Sequence, residues 1–193
     1  MEYDVRLETA APRPLAVVRR RANVQQLPRV VPDACGVVWG VVRAQQIKGA
    51  GRHVALYLDD QINLEVGVEL QTPWAGYGEV VGSALPAGTV ATTVHFGPYN
   101  RLHEAHQAIR DWCANHGYAL AGPSWEIYGH WEDAWNSDPS RIRTDVFYLL
   151  TAGGKSEDDS LTSELLESNP EFQALVAKSK VSPRKPFQAN PQA

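Results

Sequence analysis

Two cysteines in 193 residues, Cys35 and Cys113, are too few for a disulfide framework, and no CxxC pair is present to hold a metal or run redox chemistry. A reducing, cytoplasmic setting is the expectation. No stretch approaches the roughly 18 apolar residues of a membrane span, and the opening Met1-Glu2-Tyr3-Asp4 has no basic segment leading into an apolar run, so no membrane contact is expected. Basic charge is also short. With 18 Lys and Arg against 22 Asp and Glu the formal net charge is -4, which argues against a nucleic-acid partner, because neutralising phosphates needs clustered cations. Arg19, Arg20 and Arg21 are the one tight cluster; they end a strand and read as a solvated edge. There is no GxSxG, no P-loop and no GxGxxG, so acyl transfer, nucleotide hydrolysis and dinucleotide redox chemistry have no support. His103 and His106 lie three apart on a helix and could share a metal, but no third His, Cys or HExxH pattern joins them. They read as a solvated helix face, and neither metal nor cofactor is expected.

What is present is a composition of 44% hydrophobic and 21% charged residues, suited to one domain that buries its own core without staples. Residues Leu15 to Arg21 read as a strand. A helical pattern follows from about Pro32 to Ile47, with Val37, Val38, Val41 and Val42 apolar and Gly49 at the exit. Two β-rich runs, His53 to Asp59 and Asn63 to Leu70, flank a short turn. The second half repeats this order. Thr89 to Phe96 is a strand, Asn100 caps a helix ended by Gly117, and Trp125 to Trp131 and Arg143 to Leu150 are strands. An additional strand near Glu79 to Leu85 bridges the halves. Ala55-Leu56-Tyr57 can be laid over Glu126-Ile127-Tyr128, and Leu64-Glu65-Val66 over Thr144-Asp145-Val146. The expected fold class is α+β: two βαββ units joined in one curved antiparallel sheet, both helices on one face, and a ligand cleft at the pseudo-twofold. That domain spans residues 1–151. Residues 152–193, richer in Ser, Glu, Lys and Pro, read as an extension with short helices at Leu161 to Leu166 and Phe172 to Val176 before a flexible tail from Ser182.

The most specific segment is His95-Phe96-Gly97-Pro98-Tyr99, where a strand passes through a Gly-Pro turn into a helix. With Gly122-Pro123, Glu126-Ile127-Tyr128 and Thr144-Asp145-Val146 in order behind it, the chain from about Arg13 to Leu150 resembles the GyrI-like domains. That family's pattern runs His-x-Gly-Pro-Tyr, Glu-x-Tyr, Thr-Glu-Val; Asp145 departs from it. The resemblance implies a domain that binds lipophilic, aromatic and often cationic small molecules, for sensing or sequestration. It carries two further implications. Stand-alone members resemble cyclopropanoid cyclopropyl hydrolases, which add water to a strained ring of DNA-alkylating compounds, and another branch acts on DNA gyrase as a protein partner. In the AraC-type and MerR-type relatives a separate helix-turn-helix domain reads DNA. No room for one is expected before Arg13 or after Leu150.

Read from the residues, Glu126 is either a strand carboxylate turned to solvent or paired with Arg141 or Arg143, or a buried charge awaiting a partner. The resemblance implies the second, with Glu126 in the ligand pocket. Tyr128 leaves the same strand face as Glu126, and Tyr57 is its counterpart in the first repeat. In the hydrolase reading Glu126 positions water while Tyr128 or Tyr57 donates a proton. Asp145 and Phe147 share a face with each other, but register decides whether it is that of Glu126. Trp74 and Trp131 are candidates for the pocket rim, Tyr99 follows the Gly-Pro turn, and His95 is placed to orient that turn. Trp39 sits on a helix face, where core packing competes with ligand contact.

Overall fold

The computed structural model describes residues 2–152, so the expectations for the extension beyond them, its short helices and tail, lie outside the described residues. Nine strands form one antiparallel sheet: β1 (Arg6–Ala10), β2 (Arg13–Arg21), β3 (His53–Tyr57), β4 (Asn63–Glu69), β5 (Gly76–Tyr77), β6 (Val80–Leu85), β7 (Gly88–Phe96), β8 (Leu120–Tyr128) and β9 (Arg143–Leu150). Their spatial order is β1-β7-β9-β8-β3-β4-β2-β6-β5. Helix α1 (Leu27–Ala44) follows β2, helix α2 (Leu102–His116) follows β7, and a single turn, α3 (Ala134–Ser137), interrupts the β8–β9 connection. None of the described helices is long and apolar enough to cross a membrane.

The duplication is visible in the register. At the centre of the sheet Ala55 pairs with Glu126. On either side Ala55 pairs with Val66, and Glu126 with Val146; further out Val18 pairs with Val66, and Thr93 with Val146. The pseudo-twofold therefore passes between Ala55 and Glu126. The repeat is one strand longer than the sequence pattern implies. Strand β1 pairs with β7 (Arg6 opposite Thr92) and β6 pairs with β2 (Val81 opposite Val17), so each ββαββ unit lends its first strand to the other's edge. β1 escaped the sequence reading because Arg6, Leu7, Glu8 and Thr9 are all exposed and show no apolar alternation.

Period-two alternation sorts the central strands into two buried faces. Ala16, Val18, Ala55, Leu64, Val66 and Val68 pack under α1 through Ala34, Val38 and Val42. Ala91, Val146, Tyr148 and Leu150 pack under α2 through Leu102, Ala105, Ile109 and Cys113. The opposite face gathers Leu15, Val17, Val54, Leu56, Val90, Trp125 and Ile127 with Ala10 of β1 and Leu85 of β6. Strands near both ends of the sheet meet in that cluster, so the sheet curls around a second core. Gly67 permits this curvature, since a Cβ there would lie 1.8 Å from the Ala16 carbonyl oxygen.

Both helices begin differently from the sequence reading. α1 starts at Leu27 with Pro28, not Pro32, in its first turn, and it ends at Ala44, where Gln46 (φ 53°) takes the left-handed position. Asn100 lies within a 3-10 turn, Tyr99–Arg101, that leads into α2 without a side-chain cap. Gly117, at φ 75°, closes α2 as expected.

Candidate functional site

Helices α1 and α2 each pack on their own half of the sheet, α1 on β2, β4 and β6, α2 on β7 and β9. The helix-side surface of the central strands β3 and β8 lies between them, a groove in the backbone that the side chains of Tyr57, His106 and Tyr128 fill. Glu126 points into it from β8, in the stretch of strand where Trp125 and Ile127 face the other way into the second core. Its carboxylate is 4% exposed, a placement that costs several kcal/mol unless hydrogen bonds replace water. Three side chains supply them. The Tyr57 hydroxyl donates to Oε1 at 3.3 Å, His106 Nε2 donates to the same oxygen at 2.7 Å, and the Tyr128 hydroxyl donates to Oε2. Burial first, then the neighbouring carboxylate, pushes both phenols well above their ordinary range, so they remain protonated donors.

A second layer fixes the first. His106 Nδ1 lies 2.9 Å from the Tyr148 hydroxyl, and that hydroxyl accepts from Arg110 Nε at 3.1 Å and Nη2 at 2.8 Å. Tyr99, 45% exposed, sets its ring edge-on to Tyr128 at 5.6 Å and marks the mouth of the groove. Cys35 of α1 is near enough to Tyr99 and Tyr128 to influence both, and burial raises its own thiol to about 11, keeping it protonated.

Of the residues singled out from sequence, Glu126, Tyr128, Tyr57 and Tyr99 come together. Asp145 and Phe147 do not. Register places them on the opposite face, where Phe147 stacks on Trp125 at 5.4 Å and Asp145 is bound by Arg52 at 3.1 Å and Arg143 at 2.9 Å. His95 is buried beneath the Gly-Pro turn, its Nε2 3.3 Å from the Pro98 carbonyl and its Nδ1 2.8 Å from the Tyr3 hydroxyl. Both ring nitrogens are engaged there, away from Glu126. Trp39 packs on the α1 core and donates its indole N–H to His53; Trp74 packs against the same core. Trp131 stands 55% exposed in the loop after β8, edge-on to Trp135.

The reading of His106 as part of a solvated helix face is corrected. His103 is exposed, but the His106 side chain is only 13% exposed and belongs to the site. Its position was the available signal: it lies four residues after Leu102 and three before Ile109, at the border of the buried stripe of α2. Tyr148 and Arg110 carried no comparable mark. Among the described residues no group of three or more His, Cys, Asp or Glu converges as a metal site would require.

Solved structures share the architecture. The C-terminal domain of EcmrR is similar over 78% of this chain and 98% of its own, with 21% identity and a TM-score of 0.63. The protein SAV2435, solved bound to tetraphenylphosphonium, is similar over 79% and 95%, with 12% identity and a TM-score of 0.56. A hydrolase from Listeria innocua is similar over 76% and 91%, with 9% identity and a TM-score of 0.52. At these identities the likeness is one of fold. No curated protein matches the chain. With the duplicated sheet, the groove between two helices and the Glu-x-Tyr strand at its floor in place, the match of residues 3–150 assigns the chain to the family of GyrI-like small molecule binding domains.

Proposed function

We propose that this protein binds lipophilic, aromatic, cationic small molecules in the groove over β3 and β8, and that it senses or sequesters them. One observation carries the reading. Glu126 is a buried carboxylate whose hydrogen-bond partners are two phenols and an imidazole, and none of the described Lys or Arg side chains pairs with it. A cation entering a low-dielectric site lined by Tyr57, Tyr99 and Tyr128 would gain Coulomb attraction to Glu126 and contact with aromatic faces. That SAV2435 holds tetraphenylphosphonium in the same fold supports the choice of ligand class.

Glu126→Gln keeps the shape and removes the charge. Titration calorimetry should show tetraphenylphosphonium binding weakened by about 1 to 3 kcal/mol, the range for a charge-assisted contact, while a neutral polyaromatic of similar size loses less. Equal losses for both ligands would assign Glu126 to the fold and not to recognition.

The contact of His106 with Glu126 at 2.7 Å supports a second reading, a hydrolase. An imidazole and a carboxylate in one hydrogen-bonded cluster can polarise a water, and the Tyr57 or Tyr128 hydroxyl can protonate an oxygen that gains charge as a strained three-membered ring opens. Water then supplies the hydroxyl at the ring carbon. Mass spectrometry of a cyclopropane-bearing alkylating compound, with protein at about one-hundredth of the substrate, separates the two readings. Many turnovers to the hydrated product support the enzyme; conversion at the protein-free rate leaves the binding module.

A further inference from the structure

The Tyr148 hydroxyl has one hydrogen and two lone pairs. Arg110 aims Nε, at 3.1 Å, and Nη2, at 2.8 Å, at its oxygen, and guanidinium N–H groups can only donate. Both lone pairs are thereby taken. What the hydroxyl has left to offer His106 Nδ1, 2.9 Å away, is its own hydrogen, so Nδ1 must accept. At the other end of the ring Nε2 faces a carboxylate oxygen, which can only accept, so Nε2 must carry the proton. A second ring proton on Nδ1 would meet an oxygen with no lone pair to spare.

We propose that Arg110, acting through Tyr148, is a specificity-determining residue: it holds His106 as an imidazole with a single ring proton, on Nε2, and so leaves the charge of Glu126 uncancelled for a cationic ligand. The inference rests on the cation reading above. The groups that face His106 are Tyr57 from β3, Glu126 from β8, Tyr148 from β9 with Ser124 as its cross-strand partner, and Arg110 one turn further along α2. Glu126 alone among them favours a second proton, and Arg110 opposes it. The α1 half of the groove has no such relay. With the helix starts Leu27 and Leu102 aligned, Val31 and Cys35 stand where His106 and Arg110 stand in the second repeat.

Removing Arg110 gives opposite expectations under two accounts. As a plain positive charge near the groove, its loss should strengthen binding of a cation at every pH. As the keeper of the tautomer, its loss frees the Tyr148 lone pairs to accept from Nδ1–H. An imidazolium can then form beside Glu126 and cancel its charge, so binding should weaken where protons are abundant.

The experiment compares the wild type, Arg110→Met and Arg110→Met/His106→Gln at about pH 6 and about pH 8. It reads tetraphenylphosphonium affinity and, without ligand, the nitrogen chemical shifts of the His106 ring. The wild type should show the Nε2–H tautomer at both pH values. Arg110→Met should gain the second ring proton near pH 6 and bind several-fold more weakly than the wild type there, with no loss near pH 8. The double variant should show no added loss near pH 6. A wild-type ring that carries a proton on Nδ1, or an Arg110→Met variant that binds as well as the wild type at both pH values, overturns the proposal. If the wild type shows the Nε2–H tautomer yet binds no tetraphenylphosphonium, the cation reading fails and the tautomer assignment stands.

Discussion

Glu126 and Asp145 are both nearly buried carboxylates on adjacent strands, yet their surroundings differ in kind. Asp145 is held by two guanidinium groups, Arg52 and Arg143, on the face away from the helices. That face spends its charge on internal pairing. Glu126 is held by hydroxyls and an imidazole, and none of the described Lys or Arg side chains pairs with it. The phenols that serve it have a consequence for alkaline stability. Tyr57 and Tyr128 are both shifted upward by burial and by Glu126, so the folded protein keeps their protons at a pH where the unfolded chain, with ordinary phenols near 10, releases them. Stability from these groups is therefore complete below about pH 10 and is lost as pH rises above it. Urea denaturation from about pH 8 to 11 should show the wild type falling steeply at the upper end. The Tyr57→Phe/Tyr128→Phe variant, weaker at pH 8 for want of two donors, should fall less; parallel slopes would mean that other groups govern the alkaline limit.

At the scale of elements, β8 does two jobs through one alternation: Trp125 and Ile127 anchor the second core while Glu126 and Tyr128 face the groove. β2 and β4 approach so closely that Gly67 has no space for a side chain, its missing Cβ falling 1.8 Å from the Ala16 carbonyl oxygen. Backbone cannot yield as a flexible side chain can. Gly67→Ala should therefore cost at least about 1 to 3 kcal/mol, the range for overpacking, and should appear as a lowered midpoint in chemical denaturation. An unchanged midpoint would mean that the two strands can separate without loss. Strand β1 is held to the body from its N-terminal side as well, through Tyr3 to His95 and the Asp4 carbonyl to Thr93.

Across the whole molecule the pseudo-twofold relates a nearly apolar half-site to a polar one. Ala55 answers Glu126, Val68 answers Tyr148, and Val31 and Cys35 answer His106 and Arg110, while Tyr57 and Tyr128 keep the same side chain. The groove is thus asymmetric, with an apolar wall under α1 and hydrogen-bonding groups under α2. Net charge is also a property of the whole chain. The net charge is -4, and Arg19 and Arg20 of the one arginine cluster are already paired to Glu65 and Glu79, which leaves less free cationic charge there for phosphates. Gel-shift assays at physiological salt should show no discrete duplex-DNA complex at sub-micromolar protein; a complex that resists competitor DNA would restore a role in direct DNA reading.

The sequence by itself determined the βαββ part of each repeat, the order of elements within that part and the Glu126–Tyr128 strand face, because these follow from local periodicity, turn residues and the covalent spacing of two along a strand. The correspondence of Tyr57 with Tyr128 was legible for the same reason. Other features depend on which strand lies beside which. The exchange of β1 and β6 across the halves, the turning of Asp145 and Phe147 away from the groove, and the Arg110–Tyr148–His106 chain behind Glu126 all join residues far apart in sequence. Register and helix rotation set those contacts, and both are decided by burying two cores at once, a condition that no single segment of the chain encodes.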